Sequence, residues 1–148
     1  MPAVSALTAI YVGPGNWTNA FIRRWQRNPA SHCEIVTRRV ADTFECWSAS
    51  GMDGGVRCKV MRLNPNHWEL YRLPFRAALA REWFIAHQEC GYDLLGLLGF
   101  VWRPWRGERN KFWCSEACAA AVGMAEPWRF DVATWRELAR GVGRRLPL

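Results

Sequence analysis

The sequence lacks any long uninterrupted apolar run, and it contains no internal repeat and no low-complexity tract. Because a transmembrane helix needs about 18 or more consecutive apolar residues, the missing run excludes a helix of that kind. The missing repeats exclude solenoids and other array folds. With 148 residues, half of them apolar, and with ten tryptophans, seven phenylalanines and three tyrosines, the chain is predicted to be a single globular domain over residues 1–148.

Lysine is nearly missing, since only Lys59 and Lys111 accompany 18 arginines, and the formal net charge is +7. Such a basic surface favours anionic partners, among them nucleic acid, membrane lipid and acidic cell-wall polymer. Paired arginines stand at positions 23–24, 38–39 and 144–145. No known nucleic-acid-binding motif accompanies them, so nucleic acid is not the expected partner.

The six cysteines form no CxxC pair, and the chain is longer than the usual small disulfide scaffold. The N-terminal stretch MPAVSALTAIYVG has no basic residue ahead of its apolar part, which argues against a signal peptide. We therefore expect synthesis in the cytoplasm with reduced thiols, and delivery in a virion or release to the cell wall stays open. Most of the cysteines are expected to be small buried core residues.

Hydrophobic periodicity and turn residues predict an α+β domain with a central antiparallel sheet flanked by helices. The predicted strands are 5–12, 32–39, 43–50, 55–63 and 68–73, and the predicted helices are 17–26, 75–90, 92–101, 115–122 and 132–140, with a loop at 103–110. Pro74 is expected in the first turn of the second helix, and Gly91 is expected just after its end. The expected buried stripe of that helix is Leu79, Trp83, Ala86 and Cys90. Gly141 should stop the last helix, and the tail that follows is expected to be frayed.

Two short stretches carry the residue types of a nucleophilic site. In Ser31–Ile35, strand alternation places His32 and Glu34 on one face and Cys33 on the other. In the second stretch, KFWCSEAC, Cys114 falls where a loop becomes a helix, and the positive helix end stabilises a thiolate there. A nearby imidazolium would lower the thiol pKa further. A cysteine at a helix start that faces a histidine on a strand is typical of papain-like thiol hydrolases.

Five segments carry a resemblance to a known family, and together they span most of the chain. They are SHCEI at 31–35, WSAS at 47–50, DGGVR at 53–57, YD at 92–93 and FWCSE at 112–116. The chain resembles the circularly permuted branch of the NlpC/P60 papain-like superfamily, the YiiX-like or YaeF-like cysteine hydrolases, especially their phage and prophage forms. In that branch, as here, the histidine precedes the cysteine.

The resemblance implies a papain-like fold with Cys114 as the nucleophile, His32 as the general base and no cofactor. It also implies a peptide or acyl substrate. The expected bond is an amide in a peptidoglycan stem peptide of the cell wall, or alternatively an acyl or lipid ester. A phage or prophage structural or assembly protein that keeps the fold without catalysis is a second class of function. An arginine-rich nucleic-acid binder is a third, and its affinity would fall steeply with salt.

A third group should orient the imidazole of His32, and Glu34 is the first candidate because it shares the strand face and fits the family's His-x-Glu pattern. Residues two apart on one strand have Cα atoms roughly 6.5–7 Å apart, and cross-strand neighbours are closer. The expected pairing of the next strand brings Ser48 and Ser50 opposite this pair. A register slip of one residue would bring Glu45 instead. All four stay candidates.

A metal site is a weaker alternative. Cys114, Cys118 and His32 offer suitable ligand atoms, but zinc ligands are usually more closely paired in sequence, so no metal is expected. Cys118 is accordingly expected in the core. The tryptophan content suggests an aromatic-walled cleft, with Trp113 and Trp47 near the nucleophile.

Overall fold

The computed structural model describes residues 3–94 and 110–148, and in them one mixed sheet carries the helices. The strands are β1 Ser5–Tyr11, β2 His32–Val40, β3 Thr43–Ser50, β4 Gly55–Met61, β5 Trp68–Arg76, β6 Gly91–Tyr92, β7 Lys111–Phe112 and β8 Arg144–Leu146. The helices are α1 Trp17–Gln26, α2 Ala77–Ala86, α3 Cys114–Ala121 and α4 Val132–Val142, with a 3₁₀ turn at Pro127–Arg129. The chain is therefore α+β, as predicted.

Within the described residues the strand order is β7-β6-β4-β3-β2-β1-β5-β8. Every neighbouring pair is antiparallel except β6 and β7, which are parallel. The expectation of a purely antiparallel sheet is therefore wrong at one edge. The two strands responsible have two residues each, which is too short for an alternating pattern to be seen in the sequence.

The sheet buries both of its faces. Helices α2, α3 and α4 cover one face and share the main core, in which Phe84, Cys118 and Trp135 are fully buried. A smaller cluster with Val36, Phe44 and Leu70 lies on the other face. No helix among the described residues is both long and apolar enough to pass through a lipid bilayer.

The turn between β3 and β4 depends on glycine. Gly54 has a φ of 80° and Gly55 a φ of 147°, which residues with a Cβ rarely adopt. A Cβ on Gly55 would lie 2.2 Å from the carbonyl oxygen of Cys90. The close approach of β4 to β6 therefore requires glycine at position 55. This approach fixes the place of β6 in the sheet, and Tyr92 is the last residue of β6.

The second helix begins later than predicted. Strand β5 continues to Arg76, so Pro74 lies in a strand and not in the first turn of α2. The register between β1 and β5 shifts between Arg72 and Arg76, and a proline is tolerated where the hydrogen-bond ladder is interrupted. The fully buried residues of α2 are Ala77, Ala80 and Phe84. Of the predicted stripe, Trp83 and Cys90 pack against the core, whereas Leu79 and Ala86 are exposed.

Two predicted helix ends are also different. Gly91 lies in β6, and Gly141 lies inside α4, which is capped at its start by Asp131 as its sequence indicated. The tail is not frayed, because β8 pairs with β5 and satisfies the backbone groups of that strand. The helix predicted at 92–101 and the loop predicted at 103–110 lie almost entirely outside the described residues, and Tyr92 belongs to β6.

Candidate active site

His32 and Cys114 meet where a strand and a helix begin. His32 is the first residue of β2, and Cys114 is the first residue of α3, which packs against β2 and β3. The imidazole and the thiol interact electrostatically, and both side chains line the same cleft. The fold therefore joins two residues that are distant in sequence.

The first turn of α3 is anchored on both sides of Cys114. The indole Nε1 of Trp113 donates to the carbonyl oxygen of Phe130 at 3.0 Å, and the hydroxyl of Ser115 donates to the same oxygen at 2.7 Å. The first backbone N–H groups of a helix have no acceptor within the helix, and the aligned peptide dipoles make this end positive. The anchored turn thus favours a negative charge on Cys114.

Glu34 is the candidate third group that contacts the imidazole. Its Oε1 lies 2.7 Å from Nε2 of His32. The side chains of His32 and Glu34 are long enough to meet although their Cα atoms lie two residues apart on one strand. A residue of the same strand can therefore orient the imidazole.

The other three candidates have different surroundings. Ser48 is buried, and its hydroxyl donates to the carbonyl oxygen of Cys33 at 2.7 Å. Glu45 lies beyond a register shift in β2, opposite Arg38, and accepts hydrogen bonds from Thr37, Trp47 and Arg81. Ser50 lines the cleft. Glu34 is the one of the four with a hydrogen bond to His32 among those described.

Arg57 is a site residue that the sequence reasoning did not single out. Its Nη1 and Nη2 donate to the two carboxylate oxygens of Glu34 at 2.5 and 2.6 Å, and its Nε donates to Asp53 at 3.0 Å. Lys59 also binds Asp53, at 2.7 Å. Arg57 lies within the DGGVR segment of the resemblance and pairs with Ser48 across β3 and β4. The position of Arg57 opposite Ser48 was the sequence signal that could have identified it as a site residue.

The charges of His32, Glu34 and Arg57 stabilise one another. Burial by itself lowers the pKa of His32, but the charges of Cys114 and Glu34 outweigh burial and raise the pKa from 6.5 to about 10. Burial opposes ionisation of Glu34, yet His32 and Arg57 together hold its pKa below 4.5. The site therefore favours an imidazolium beside a carboxylate.

Cys33 lies nearer to Cys114 than strand alternation predicted. It is fully buried, and its thiol donates to Sγ of Cys118 at 3.6 Å. Burial raises the pKa of Cys33 well above 9.0, so this thiol keeps its proton. The nearby protonated thiol of Cys33 is the largest cause of a pKa of Cys114 well below 9.0; burial opposes that shift, and the charge of His32 adds to it.

The cleft above these residues has a volume of about 680 Å³. Trp68 lines it, whereas Trp113 and Trp47 are 1% and 2% exposed and pack in the interior, so the prediction that they wall the cleft is wrong. Tyr92 lines it next to Cys114. Burial and the charge of Cys114 raise the pKa of Tyr92, so its hydroxyl stays protonated and can donate a hydrogen bond.

The remaining cysteines divide between core and surface. Cys118 is fully buried, as predicted, and Cys58 is exposed, contrary to the general expectation of burial. All six thiols are free. In residues 3–94 and 110–148, no group of three or more His, Cys, Asp or Glu side chains is arranged to hold a metal ion.

Comparison with known protein families found no family model that matches this sequence. Comparison with curated proteins found no match either. The function is therefore inferred from the geometry and chemistry of the site.

Proposed function

We propose that this chain is a thiol hydrolase that cleaves an amide or ester bond through a covalent acyl-enzyme. The observation that carries the proposal is that Cys114 and His32 line one cleft and interact electrostatically, while Glu34 contacts the His32 imidazole at 2.7 Å. Both reacting side chains line a cleft of about 680 Å³, so a substrate carbonyl can approach them. Nucleophile, base and orienting group in contact are the arrangement that nucleophilic catalysis needs.

The first half of the reaction forms the acyl-enzyme. The Cys114 thiolate attacks the substrate carbonyl carbon, and the carbonyl electron pair moves to oxygen. Tyr92 lines the cleft with Cys114, and α3 begins at Cys114, so we assign the stabilisation of this oxyanion to the Tyr92 hydroxyl and the first backbone N–H groups of α3. As the oxyanion collapses, the bond to the leaving amine or alcohol breaks, and His32 gives that group its proton.

The second half releases the acid. Neutral His32 now accepts a proton from water, and the resulting hydroxide attacks the thioester carbonyl. Collapse of this second intermediate frees the carboxylic acid and returns the Cys114 thiolate and the His32 imidazolium. Glu34 holds the ring in one orientation throughout, because its carboxylate is itself held by two bonds from Arg57.

For the substrate we propose a peptidoglycan stem-peptide amide, on the basis of the resemblance to permuted NlpC/P60 hydrolases. The order of the histidine strand β2 before the cysteine helix α3 supports that assignment. Polar groups of Asn16, Asn19 and Ser31 on one wall suit a peptide backbone. An acyl or lipid ester is the second candidate, because Met52, Met61 and Trp68 also line the cleft and suit an acyl chain.

Selective alkylation tests the nucleophile. Cys114 should react with iodoacetamide at pH 6, where an ordinary thiol with a pKa near 8.5 is almost fully protonated. Cys58 is a matched internal control, because its thiol is exposed and burial raises its pKa above 9.0. Peptide mass spectrometry should show Cys114 modified at least tenfold faster than Cys58. Equal rates would contradict an activated thiolate and favour a protein that keeps the fold without catalysis.

Turnover is tested with stem-peptide fragments and with acyl esters. Cys114→Ala should abolish hydrolysis of the accepted substrate and leave the circular dichroism spectrum unchanged. Cys58→Ala should leave turnover unchanged. If the Cys114→Ala variant hydrolyses these compounds at the normal rate, the proposed nucleophile is wrong.

A further inference from the structure

Helix α1 exposes its apolar side and turns its polar side inward. Trp17, Phe21 and Trp25 are 81%, 55% and 49% exposed, and they follow one another at four-residue spacing along the solvent face. The rings of Phe21 and Trp25 stack with centroids 6.2 Å apart. A surface helix of a globular protein normally does the opposite. This aromatic face needs an explanation outside the packing of the core.

The inward side of α1 is held by polar contacts. Nδ2 of Asn19 donates to the hydroxyl of Ser31 at 3.0 Å, and Oε1 of Gln26 accepts from the backbone N–H of Ala133 at 2.7 Å. Ile22 is the buried residue of the helix. Because the anchoring contacts lie on this side, the fold does not depend on the three outward aromatic rings.

The aromatic face adjoins the mouth of the cleft. Asn16 and Thr18, on either side of Trp17, line the cleft. Met52 and Leu94 line it too and are 89% and 69% exposed, so apolar side chains also stand at other parts of the rim. A surface that covers the aromatic face would therefore also meet the cleft opening.

The charged residues of α1 itself all have one sign. The first acidic residue of the chain is Glu34, while three arginines, at positions 23, 24 and 27, stand in or just after α1. Arg24 and Arg27 are exposed. Aromatic side chains beside arginines on one helix face suit a membrane interface, where rings enter the headgroup region and cations meet anionic lipid.

We propose that the Trp17–Phe21–Trp25 face of α1 docks this protein onto an anionic lipid bilayer. The three side chains expose on the order of 400 Å². That is about half of the roughly 800 Å² per partner in a stable protein interface, so a second protein is a poorer fit. Docking concerns binding alone and does not depend on the proposed hydrolysis.

Vesicle co-sedimentation of the full chain tests the docking. The protein should pellet with vesicles of equal parts phosphatidylglycerol and phosphatidylcholine, and bind phosphatidylcholine vesicles at least tenfold more weakly. Trp17→Ser with Phe21→Ser should lower binding to the anionic vesicles at least tenfold. Arg24→Gln should lower it about fivefold, the usual effect of one basic side chain at such a surface.

A matched double variant on α2 serves as the control. Leu79 and Ile85 are also exposed apolar residues, at 52% and 45%, and Leu79→Ser with Ile85→Ser should leave vesicle binding unchanged. Failure of the wild type to pellet with anionic vesicles, or an equal loss of vesicle binding in both double variants, overturns the proposal.

Other outcomes would assign the face to a different role. If light scattering shows a wild-type dimer that the α1 variant loses, the face pairs two copies of the chain and the proposal is overturned. Tighter binding of single-stranded oligonucleotide through the same residues would assign the face to nucleic acid. A large fall in melting temperature of the α1 variant would show that the rings pack within the fold.

Discussion

Cys114 has neighbours of different chemical kinds. His32 supplies a positive charge, Cys33 supplies a protonated thiol, and the start of α3 supplies aligned backbone dipoles. Burial alone would raise the pKa of this thiol, so the polar neighbours decide the direction of the shift. Strand alternation correctly placed Glu34 on the face of His32, but the contribution of Cys33 depends on how α3 approaches the end of β2.

The first prediction concerns Arg57 as a positioning residue. Arg57→Lys keeps the charge but loses the two-pronged contact with Glu34, so the imidazole is held less firmly. We expect kcat to fall about 10- to 100-fold, in the range caused by small misplacements of reacting groups. The pKa of His32 read from the pH profile should also fall, because Glu34 is less well held beside it.

Arg62→Lys is the matched control for this variant, because Arg62 pairs with Asp42 on the surface and both side chains are exposed. It should leave both kcat and the pH profile near those of the wild type. If Arg57→Lys keeps the wild-type pH profile, Arg57 has no positioning role.

The second prediction concerns Cys33. Cys33→Ala removes the protonated thiol beside Cys114, so the pKa of Cys114 should rise and iodoacetamide should modify it only at a higher pH. Cys33→Ser retains a polar donor and should restore most of the shift. Cys46→Ala removes a buried thiol from the opposite face of the sheet and serves as the control. An unchanged alkylation profile for Cys33→Ala would disprove the role of the Cys33 thiol.

At the scale of elements, the sequence predicts a helix or strand correctly where its hydrophobic pattern is long. The prediction fails where the element is short or where packing against the rest of the fold sets its first residue. The bounds of α1 and β3 agree with the sequence prediction, and Asn16 caps α1 through a reciprocal pair of hydrogen bonds with Asn19. Strands β6, β7 and β8 have only two or three residues each, and their pairing partners are remote in sequence. These short strands form only because a neighbouring strand of the sheet offers unpaired backbone groups to them.

The third prediction concerns the first turn of α3, which buries Glu116 beside Asp93. Oε2 of Glu116 has no hydrogen-bond partner among the described residues, and burial raises the pKa of this carboxyl from 4.5 to about 8. The folded state therefore keeps a proton that the unfolded state releases above pH 4.5. The free energy of unfolding should fall as the pH rises from 4.5 to about 8.

Glu116→Gln removes this ionisation, so its stability relative to the wild type should increase over that interval by on the order of 3 kcal/mol. Urea unfolding at pH 5 and pH 8 measures the difference. Glu137→Gln, an exposed glutamate on α4, is the control and should show little change. A constant difference between Glu116→Gln and the wild type would contradict a protonated Glu116.

At the scale of the whole molecule, the site joins the middle of the sheet to a helix near the end of the chain. β2 lies between β1 and β3, α3 packs on β2 and β3, and Phe130 anchors the first turn of α3. No single local segment contains the reactive pair. The low pKa of Cys114 is therefore a property of the complete fold.

The fourth prediction follows from this dependence. When urea unfolds the protein at pH 6, the selective alkylation of Cys114 should disappear at the same urea concentration as the circular dichroism signal. Cys58, which is exposed in the folded state, should change its rate much less. Loss of selectivity at a clearly lower urea concentration would show that the site opens independently of the sheet.

The sequence by itself determined the α+β class, the main strands and helices, and His32, Glu34 and Cys114 as candidates, because these follow from local periodicity and local residue chemistry. Only the tertiary structure decided that Glu34 contacts the imidazole, that Arg57 holds Glu34, and that the thiol of Cys33 contacts Cys118 beside Cys114. These contacts depend on strand register and on how a helix docks against a sheet. Neither is encoded in the spacing of residues along one segment, since both result from packing between segments distant in the chain.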